Sequence, residues 1–322
     1  MPLNWRTETG YRPDLAALEV NPVFNYIGRF FYPVEVKTEK TGDFTFQTVV
    51  PDADASTSYS DGAELGITDL NLSPGSWNCK AIAKRYGVTK KEVYNYGSVE
   101  KADIAGATGA IRSVMATVEK RQLSKLISGT SKALVDGKIF VSLQKAVDEI
   151  RRYPGKKAVC MNFSTFRALT QTNEFTSALL RNGWAMTADQ VLGTGTDLLL
   201  KYLSQILVIE KAFIADDEYM TTGYIVVAAL PIEEDISYKD RPELGKTMVF
   251  IPDGGKEFDI ETDVEVKSRR NLYTAESYVD IVEMNSGARK VFFYTIPDES
   301  ESGSGSAPDE SESGSGSASS QS

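Results

Sequence analysis

The sequence contains no histidine and only two cysteines. Without histidine, the chain lacks the commonest general base and the commonest metal ligand of proteins, and no histidine-dependent catalytic triad can form. Cys79 and Cys160 are distant in the chain and fit no metal or redox motif, so we interpret each as a small buried thiol. These absences disfavour an enzyme, although carboxylate or lysine chemistry stays open.

Long apolar runs and basic clusters are also absent. No run approaches the ~20 residues that span a bilayer, and the first residues lack the layout of a signal peptide. We therefore expect a protein that contacts no membrane and is made in a cytoplasm. The net charge is −10, of which −6 lies in residues 297–322, so the rest of the chain carries −4. This near balance argues against a dedicated nucleic-acid binder.

The last 26 residues, 297–322, repeat one acidic segment twice. The repeat is Pro-Asp-Glu-Ser-Glu-Ser-Gly-Ser-Gly-Ser-Ala, which has no large apolar side chain to bury. The composition predicts a disordered tail that the fold does not need.

The N-terminal third has few helical patterns. Residues 1–28 are interrupted by prolines and predict an extended arm, and residues 51–76 predict a long irregular excursion. Between them, alternation predicts a hairpin over residues 33–50, with residues 40–43 as its turn. One face of this hairpin is apolar, and we predict that it docks on a neighbouring subunit. Its side chains are Val34, Val36, Phe44 and Phe46.

Helices and strands follow from residue 77 onward. A long helix is expected at about 102–128, with Ile111, Val114, Met115, Val118 and Leu126 on one stripe. Further helices are expected at about 142–153, at 164–169 with Ser164 as its cap, at 175–180 and at 197–203. Strands are expected at 77–83, 157–161, 205–209, 224–230 and 264–267, and a C-terminal hairpin is expected at 278–284 and 289–296.

Motifs that carry chemistry are scarce. There is no phosphate-binding loop, dinucleotide fingerprint or paired metal motif. The segment 193–196 predicts a loop and helix cap, the segment 253–256 a turn, and the acidic run 216–218 a solvated loop. We predict no catalytic, metal or cofactor-binding residue. A carboxylate-dependent hydrolase stays open as an alternative, and it would need two of four carboxylates to converge in one cleft. These are Asp189, Asp197, Asp216 and Glu218.

The order of these elements resembles the major capsid proteins of tailed bacteriophages with the Hong Kong 97-type fold. The resemblance covers residues 1–296 and rests on the style and order of elements. It includes Phe-Tyr-Pro-Val-Glu-Val with Gly-Asp-Phe-Thr-Phe (31–46), Ala-Ile-Ala-Lys-Arg-Tyr-Gly-Val-Thr (81–89), Lys-Ala-Val-Asp-Glu-Ile-Arg-Arg (145–152), Ala-Val-Cys-Met-Asn-Phe-Ser-Thr-Phe (158–166), Tyr-Val-Asp-Ile-Val-Glu (278–283) and Lys-Val-Phe-Phe-Tyr (290–294).

The resemblance implies an α+β subunit with six regions. These are an N-terminal arm (1–28), an extended loop (29–90), a peripheral domain with a long spine helix (91–155), an axial domain (156–285), a C-terminal strand (286–296) and the tail (297–322). The arm begins at the first residue of this sequence, so we expect a separate scaffold protein or a scaffolding region that has been removed.

The resemblance also implies a structural function without catalysis or cofactors. Copies of the chain would form hexamers and pentamers of an icosahedral head enclosing double-stranded DNA, which they would contact weakly and nonspecifically. Scaffold, portal and decoration proteins would be further partners. The protein would be assembled in the host bacterial cytoplasm and reside in the virion. The alternative with the same fold is an encapsulin-like nanocompartment shell, whose cargo is a protein.

Overall fold

The computed structural model describes residues 6–18, 26–48, 72–135, 137–184, 188–205, 207, 209–232, 242–253 and 255–296, of which 188–196 are described as backbone only. The strands are β1 (Gly10–Tyr11), β2 (Val34–Lys37), β3 (Thr41–Gln47), β4 (Leu72–Asn78), β5 (Lys80–Thr89), β6 (Ser131–Ala133), β7 (Lys157–Asn162), β8 (Lys211–Ala215), β9 (Tyr224–Ala229), β10 (Gly245–Phe250), β11 (Asp259–Glu265), β12 (Arg270–Glu283) and β13 (Arg289–Phe293). The helices are α1 (Pro13–Ala16), α2 (Gly28–Phe31), α3 (Lys90–Tyr96), α4 (Val99–Leu126), α5 (Ile139–Glu149), α6 (Phe163–Thr170), α7 (Asn173–Arg181) and α8 (Ala188–Gln205).

A six-stranded sheet forms around the long strand β12. Its strands run in the order β1-β11-β12-β10-β2, and β5 pairs antiparallel with β12 over residues 80–89. Side chains alternate along β12, so that Tyr273, Ala275 and Val279 are buried on the face toward α4. This alternation is what a sheet with one covered face requires.

Helix α4 is held at both ends and kept close to this sheet. The Ser98 side chain accepts a hydrogen bond from the backbone N–H of Lys101 at 3.2 Å and so caps the first turn. In the first half of the helix, a Cβ on Gly106 would lie 2.2 Å from the Tyr273 ring. The glycine therefore allows a ring of β12 to approach the helix backbone, and this packing offsets its low helix propensity.

The buried face of α4 rotates along its length. In the first half, Ala102, Ala110 and Val114 pack against the six-stranded sheet. In the last two turns, Leu123 and Leu126 enter a different and larger core. The helix therefore belongs to two cores, and a single apolar stripe describes only part of it.

The larger core lies between a five-stranded sheet and the helices α5 to α8. The strand order is β6-β13-β9-β7-β8, with β7 parallel to β8 and antiparallel to β9. β7 and β9 are almost entirely buried and apolar, as predicted for 157–161 and 224–230. Phe31, the last residue of α2, and Tyr32, its C-cap, are fully buried and also belong to this core.

Both predicted hairpins are wrong. β2 pairs parallel with β10, whereas β3 pairs antiparallel with β4, so the two halves of the predicted 33–50 hairpin lie in different sheets. The predicted turn at 40–43 overlaps the start of β3. Likewise, β12 lies in the six-stranded sheet and β13 in the five-stranded sheet. A short 3₁₀ turn at Ser286–Ala288 carries the chain from one sheet to the other.

Other local predictions are confirmed in part. The long helix spans Val99–Leu126, three residues earlier than expected, and the helix expected at 142–153 spans Ile139–Glu149. The predicted cap Ser164 is wrong, because the Asn162 side chain accepts from Thr165 N at 2.9 Å.

Two predictions between residues 190 and 210 are wrong. The segment 193–196 lies inside α8 and is not a loop. Of the strand expected at 205–209, Gln205 lies in α8, and the other described residues, 207 and 209, are not in a strand. The strand here is β8, at Lys211–Ala215.

The two sheets also divide the chain differently from the predicted ranges 91–155 and 156–285. Strands β10 to β12 fall within the predicted axial range, but they pair around α4, and α5 falls within the predicted peripheral range but joins the larger core. Each sheet combines strands that are distant in sequence, so a division of the chain into contiguous ranges does not match the two sheets. Most of the predicted excursion at 51–76 and the tail 297–322 lie outside the described residues.

Candidate assembly surfaces

The N-terminal segment 6–18 packs on its own chain. β1 pairs with β11, and Leu15 is buried in the core under α4. Asp103 of α4 anchors the segment, accepting from Thr7 Oγ1 at 2.9 Å and from Tyr273 OH at 2.7 Å. Arg12 also contacts this carboxylate at 3.3 Å. This part of the predicted arm therefore has an intrachain role that its sequence did not indicate.

Strands β3 and β4 form a separate two-stranded ribbon. Two cross-strand pairs each match a glycine with an aromatic ring: Gly42 with Trp77, and Gly75 with Phe44. A Cβ on either glycine would lie within 2.5 Å of the partner ring. The rings therefore lie flat across the opposite strand, which covers the exposed glycine backbone and fixes the register.

The ribbon docks on the end of the six-stranded sheet. Phe44 and Phe46 are each 8% exposed and pack with Met248 and Met284. At the base, Asn78 N donates to Asp280 Oδ2 at 2.8 Å. The ribbon is therefore held by its own chain through an apolar underside and a hydrogen-bonded base.

Strand β2 is the edge of the six-stranded sheet within the described part of the chain. Val34 and Val36 are 54% and 56% exposed, so their apolar side chains face solvent. An edge strand with exposed apolar side chains is a template for another chain.

A charge cluster fastens β2 to the sheet. Lys246 of β10 lies 3.9 Å from Glu35 and 3.5 Å from Glu243. Burial raises the pKa of Glu243, and the nearby Glu35 carboxylate adds to this effect while Lys246 opposes it. Lys37 bonds to Glu35 at 2.6 Å and lies 4.6 Å from the Trp77 ring, so the cluster also reaches the ribbon.

The four predicted contact residues therefore do not share one face. Phe44 and Phe46 are buried on the side of the ribbon that packs against the six-stranded sheet. The proposal that they dock on a neighbouring subunit therefore loses its motivation. Val34 and Val36 remain available, and their contact with another subunit stays a prediction.

One buried arginine joins the two sheets. Arg289, at the start of β13, donates to the backbone oxygens of Lys125 in the last turn of α4 and of Ser128 just after it, and to Tyr32 OH at 3.0 Å. Its guanidinium also lies 3.0 Å from Glu283 at the end of β12. No local pattern singled out this residue, because each partner comes from a different part of the chain.

The carboxylates of the hydrolase alternative show no catalytic arrangement in the described residues. Asp197, Asp216 and Glu218 are exposed, and the side chain of Asp189 lies outside the described part. Asp216 stabilises the turn in which it lies, because its side chain accepts a hydrogen bond from Glu218 N at 2.9 Å. Within the described ranges, no group of three or more histidine, cysteine, aspartate or glutamate side chains could hold a metal ion.

The predicted free thiols are confirmed. Cys79 and Cys160 are buried and unpaired with each other, and burial raises the pKa of both thiols. Among the helices of the described ranges, none combines the length and the apolar character that crossing a membrane would need.

Comparisons of sequence identify no relative: no family model matches the chain, and neither does any curated protein sequence. Comparisons of structure, in contrast, identify similar proteins. A phage-related protein from Bordetella bronchiseptica RB50 superposes with a TM-score of 0.60 at 10% identity, over 89% of this chain and 98% of that one. The capsid of an empty GTA particle superposes with a TM-score of 0.50 at 12% identity, over 87% of this chain and 93% of that one. The predicted fold is confirmed: this chain has the α+β, Hong Kong 97-type fold of phage capsid subunits.

Proposed function

We propose that the chain is the structural major capsid protein of a tailed bacteriophage. Copies form the hexamers and pentamers of an icosahedral head that encloses double-stranded DNA. The chain acts without catalysis or a cofactor, is assembled in the host bacterial cytoplasm and resides in the virion. Scaffold, portal and decoration proteins are its expected partners.

The observation that carries this proposal is the extent of the fold match. The phage-related protein is covered over 98% of its length, so the similarity includes both sheets and is not limited to one common motif. A fold alone does not establish a function. The surfaces of this chain add support, because a shell subunit needs repeated contacts with copies of itself.

Three surfaces suit such contacts. The β2 edge exposes Val34 and Val36. The ribbon β3–β4, although docked by its underside, exposes alternate residues of β4. The described face of β11 that points away from α4 is exposed at Glu261, Asp263 and Glu265. Exposed apolar side chains on an edge strand are a liability in a monomer and are useful in a self-assembling subunit.

Expression of the full chain followed by sizing chromatography and electron microscopy tests the proposal. We expect closed particles or capsomer rings, formed alone or with a scaffold protein. A strictly monomeric species at high concentration, with and without a scaffold, would contradict it. Particles that contain a protein cargo and no DNA would instead identify an encapsulin-like shell.

A further inference from the structure

The structure gathers a basic surface that the linear sequence separates. The turn between β11 and β12 carries Lys267, Arg269 and Arg270, and α3 begins beside it. Thr89, the cap of α3, is the strand partner of Arg270, and Lys90 N donates to Arg269 O at 2.8 Å. We define the basic tip as Lys91, Lys267, Arg269 and Arg270, all of which are exposed.

The basic tip has a fixed shape and an apolar centre. Arg269 is the non-glycine residue with positive φ, at 53°, in the described chain. This conformation is unfavourable for most side chains, and here it is held by hydrogen bonds to Val266 O and from Lys90 N. Val266 is 58% exposed among the basic side chains. A preorganised turn with one apolar side chain inside a charged rim is suited to docking.

The complementary surface lies on β11, on the face of the six-stranded sheet that points away from α4. Alternate residues of β11 point away from α4, and they place four carboxylates in one column. We define the acidic column as Asp259, Glu261, Asp263 and Glu265. The ribbon β3–β4 packs at the other end of the sheet, near Tyr278 and Val282. In the part of the chain that the structure describes, Glu261, Asp263 and Glu265 are exposed and Asp259 is half-buried.

Within the described residues, these charges have no close ion-pair partner, although the Glu92 carboxylate of α3 lies near enough to Arg270 to interact with it electrostatically. In the described part of the chain, no member of the basic tip or of the acidic column forms an ion pair within 4.0 Å. Glu265 and Arg270 are direct cross-strand partners, yet they too form no ion pair. Both surfaces therefore keep their charge available for a contact outside the subunit.

We propose that the basic tip of one copy docks on the acidic column of the next copy. This inference rests on the proposed self-assembly and names one of its contacts. The tip and the column are different patches, so each contact leaves a free tip on one copy and a free column on the other. Contacts of this head-to-tail type close into rings when the rotation between copies allows it.

A nucleic acid fits the tip less well than a second copy does. Glu265 ends the acidic column one strand away from Arg270. A phosphate backbone lying across the tip would meet this carboxylate and then Asp263. A discrete protein surface with its own carboxylates faces no such repulsion, since it can present them to the tip alone.

Charge reversal at the two surfaces tests the contact. The tip variant carries Lys91→Glu and Lys267→Glu, and the column variant carries Glu261→Lys and Asp263→Lys. Neither should unfold, because position 91 lies in the first turn of α3, where a carboxylate is favourable, and Arg269 keeps its conformation. A matched control, Lys145→Glu with Arg151→Glu, makes the same charge change on exposed side chains at and after α5.

The readout is the protein concentration at half-assembly, measured by light scattering and sedimentation. We expect the tip variant and the column variant each to raise it by about tenfold or more, since each pair of changes cancels the net charge of its surface and sets two like charges against the partner surface. The control should not change it. The variant with all four changes should recover part of the loss, because the two carboxylates introduced at the tip then face the two lysines introduced in the column. High salt should weaken wild-type assembly.

Each other outcome overturns either the contact or the assembly proposal. If wild type assembles and the tip variant matches the control, or if the fourfold variant assembles no better than its parents, the tip-to-column contact is wrong and self-assembly stands. The contact is also wrong if the tip variant assembles normally and only loses nucleic acid that copurifies with wild type. If wild type forms no particles, the proposed function fails. A mixture of tip and column variants at low salt then decides the contact, since a heterodimer supports it and two monomers refute it.

Discussion

Replacing Arg289 by methionine should destabilise the protein more than any surface substitution nearby. The methionine keeps much of the length and apolar stem but removes every hydrogen bond of the guanidinium. Three kinds of acceptor then lose their partner: the backbone oxygens of Lys125 and Ser128, the Tyr32 hydroxyl and the Glu283 carboxylate.

The size of the effect follows from burial. The side chains of Arg289 and Glu283 are only 5% and 15% exposed, so water cannot replace the lost contacts fully. Removing one partner of such a pair costs about 3–5 kcal/mol. In a protein of this size, that loss should lower Tm by roughly 4–7 °C.

Lys290, the next residue, provides the matched control. It pairs with Glu149 at 2.7 Å, but the two side chains are 34% and 46% exposed. Exposed pairs contribute about 0–1 kcal/mol, so Lys290→Met should change Tm by a few degrees at most. Thermal unfolding followed by circular dichroism compares the two variants directly.

A second substitution separates the buried charge from the lost packing. Adding Glu283→Gln to Arg289→Met should recover about 1 kcal/mol or more, because it removes the unpaired carboxylate. If Arg289→Met lowers Tm no more than Lys290→Met does, the arginine does not join the two sheets energetically and the reasoning fails.

Three further predictions concern other parts of the chain. Val34→Asp with Val36→Asp should leave Tm nearly unchanged and impair assembly, and normal particles by electron microscopy would refute the edge contact. Gly106→Ala should lower Tm, because its Cβ would meet the Tyr273 ring at 2.2 Å, and an unchanged Tm would show that the ring moves freely. Burial raises the pKa of Glu119 above its unfolded value, so stability should fall as pH rises from about 4.3 toward the folded pKa. Glu119→Gln should reduce this fall, and parallel pH profiles would contradict the assignment.

Elements set by local sequence were predicted best. The long helix, the helix at α5 and the buried strands β7 and β9 each carry their own periodicity or apolar run. The helix α8 was predicted too short, because Gly193 and Gly195 indicate a loop when read alone. Its helical backbone through those glycines shows that the surrounding structure overrides their propensity.

Strand partners were predicted worst, and the reason is physical. The predicted hairpin assumed that neighbouring strands pair, but β2 pairs with residues 247–250 of β10, and β5 pairs with residues 270–279 of β12. Alternation in one strand fixes which side chains share a face and says nothing about the strand beside it. For this reason the sequence did not show that Phe44 and Phe46 are buried against their own chain, which removes the motivation for assigning them to an intersubunit face.

The basic tip was missed for a related reason. The sequence shows Arg269 and Arg270 as an isolated pair, and Lys91 lies almost 180 positions earlier. Only the pairing of β5 with β12 brings α3 beside the turn. Net charge along the chain therefore underestimates local charge wherever a sheet joins distant segments.

Helix α4 and Arg289 together constrain how a shell of these subunits could vary in curvature. The first half of α4 packs on one sheet, and its last two turns enter the core of the other. Arg289 donates to one backbone carbonyl in the last turn of α4 and to another just after it. A change in the angle between the sheets would have to break these buried contacts, which packed cores resist. Hexamers and pentamers require different angles between neighbours. Under the proposed function, that difference must therefore be taken up at the tip, the β2 edge and the ribbon, where fewer buried contacts have to change.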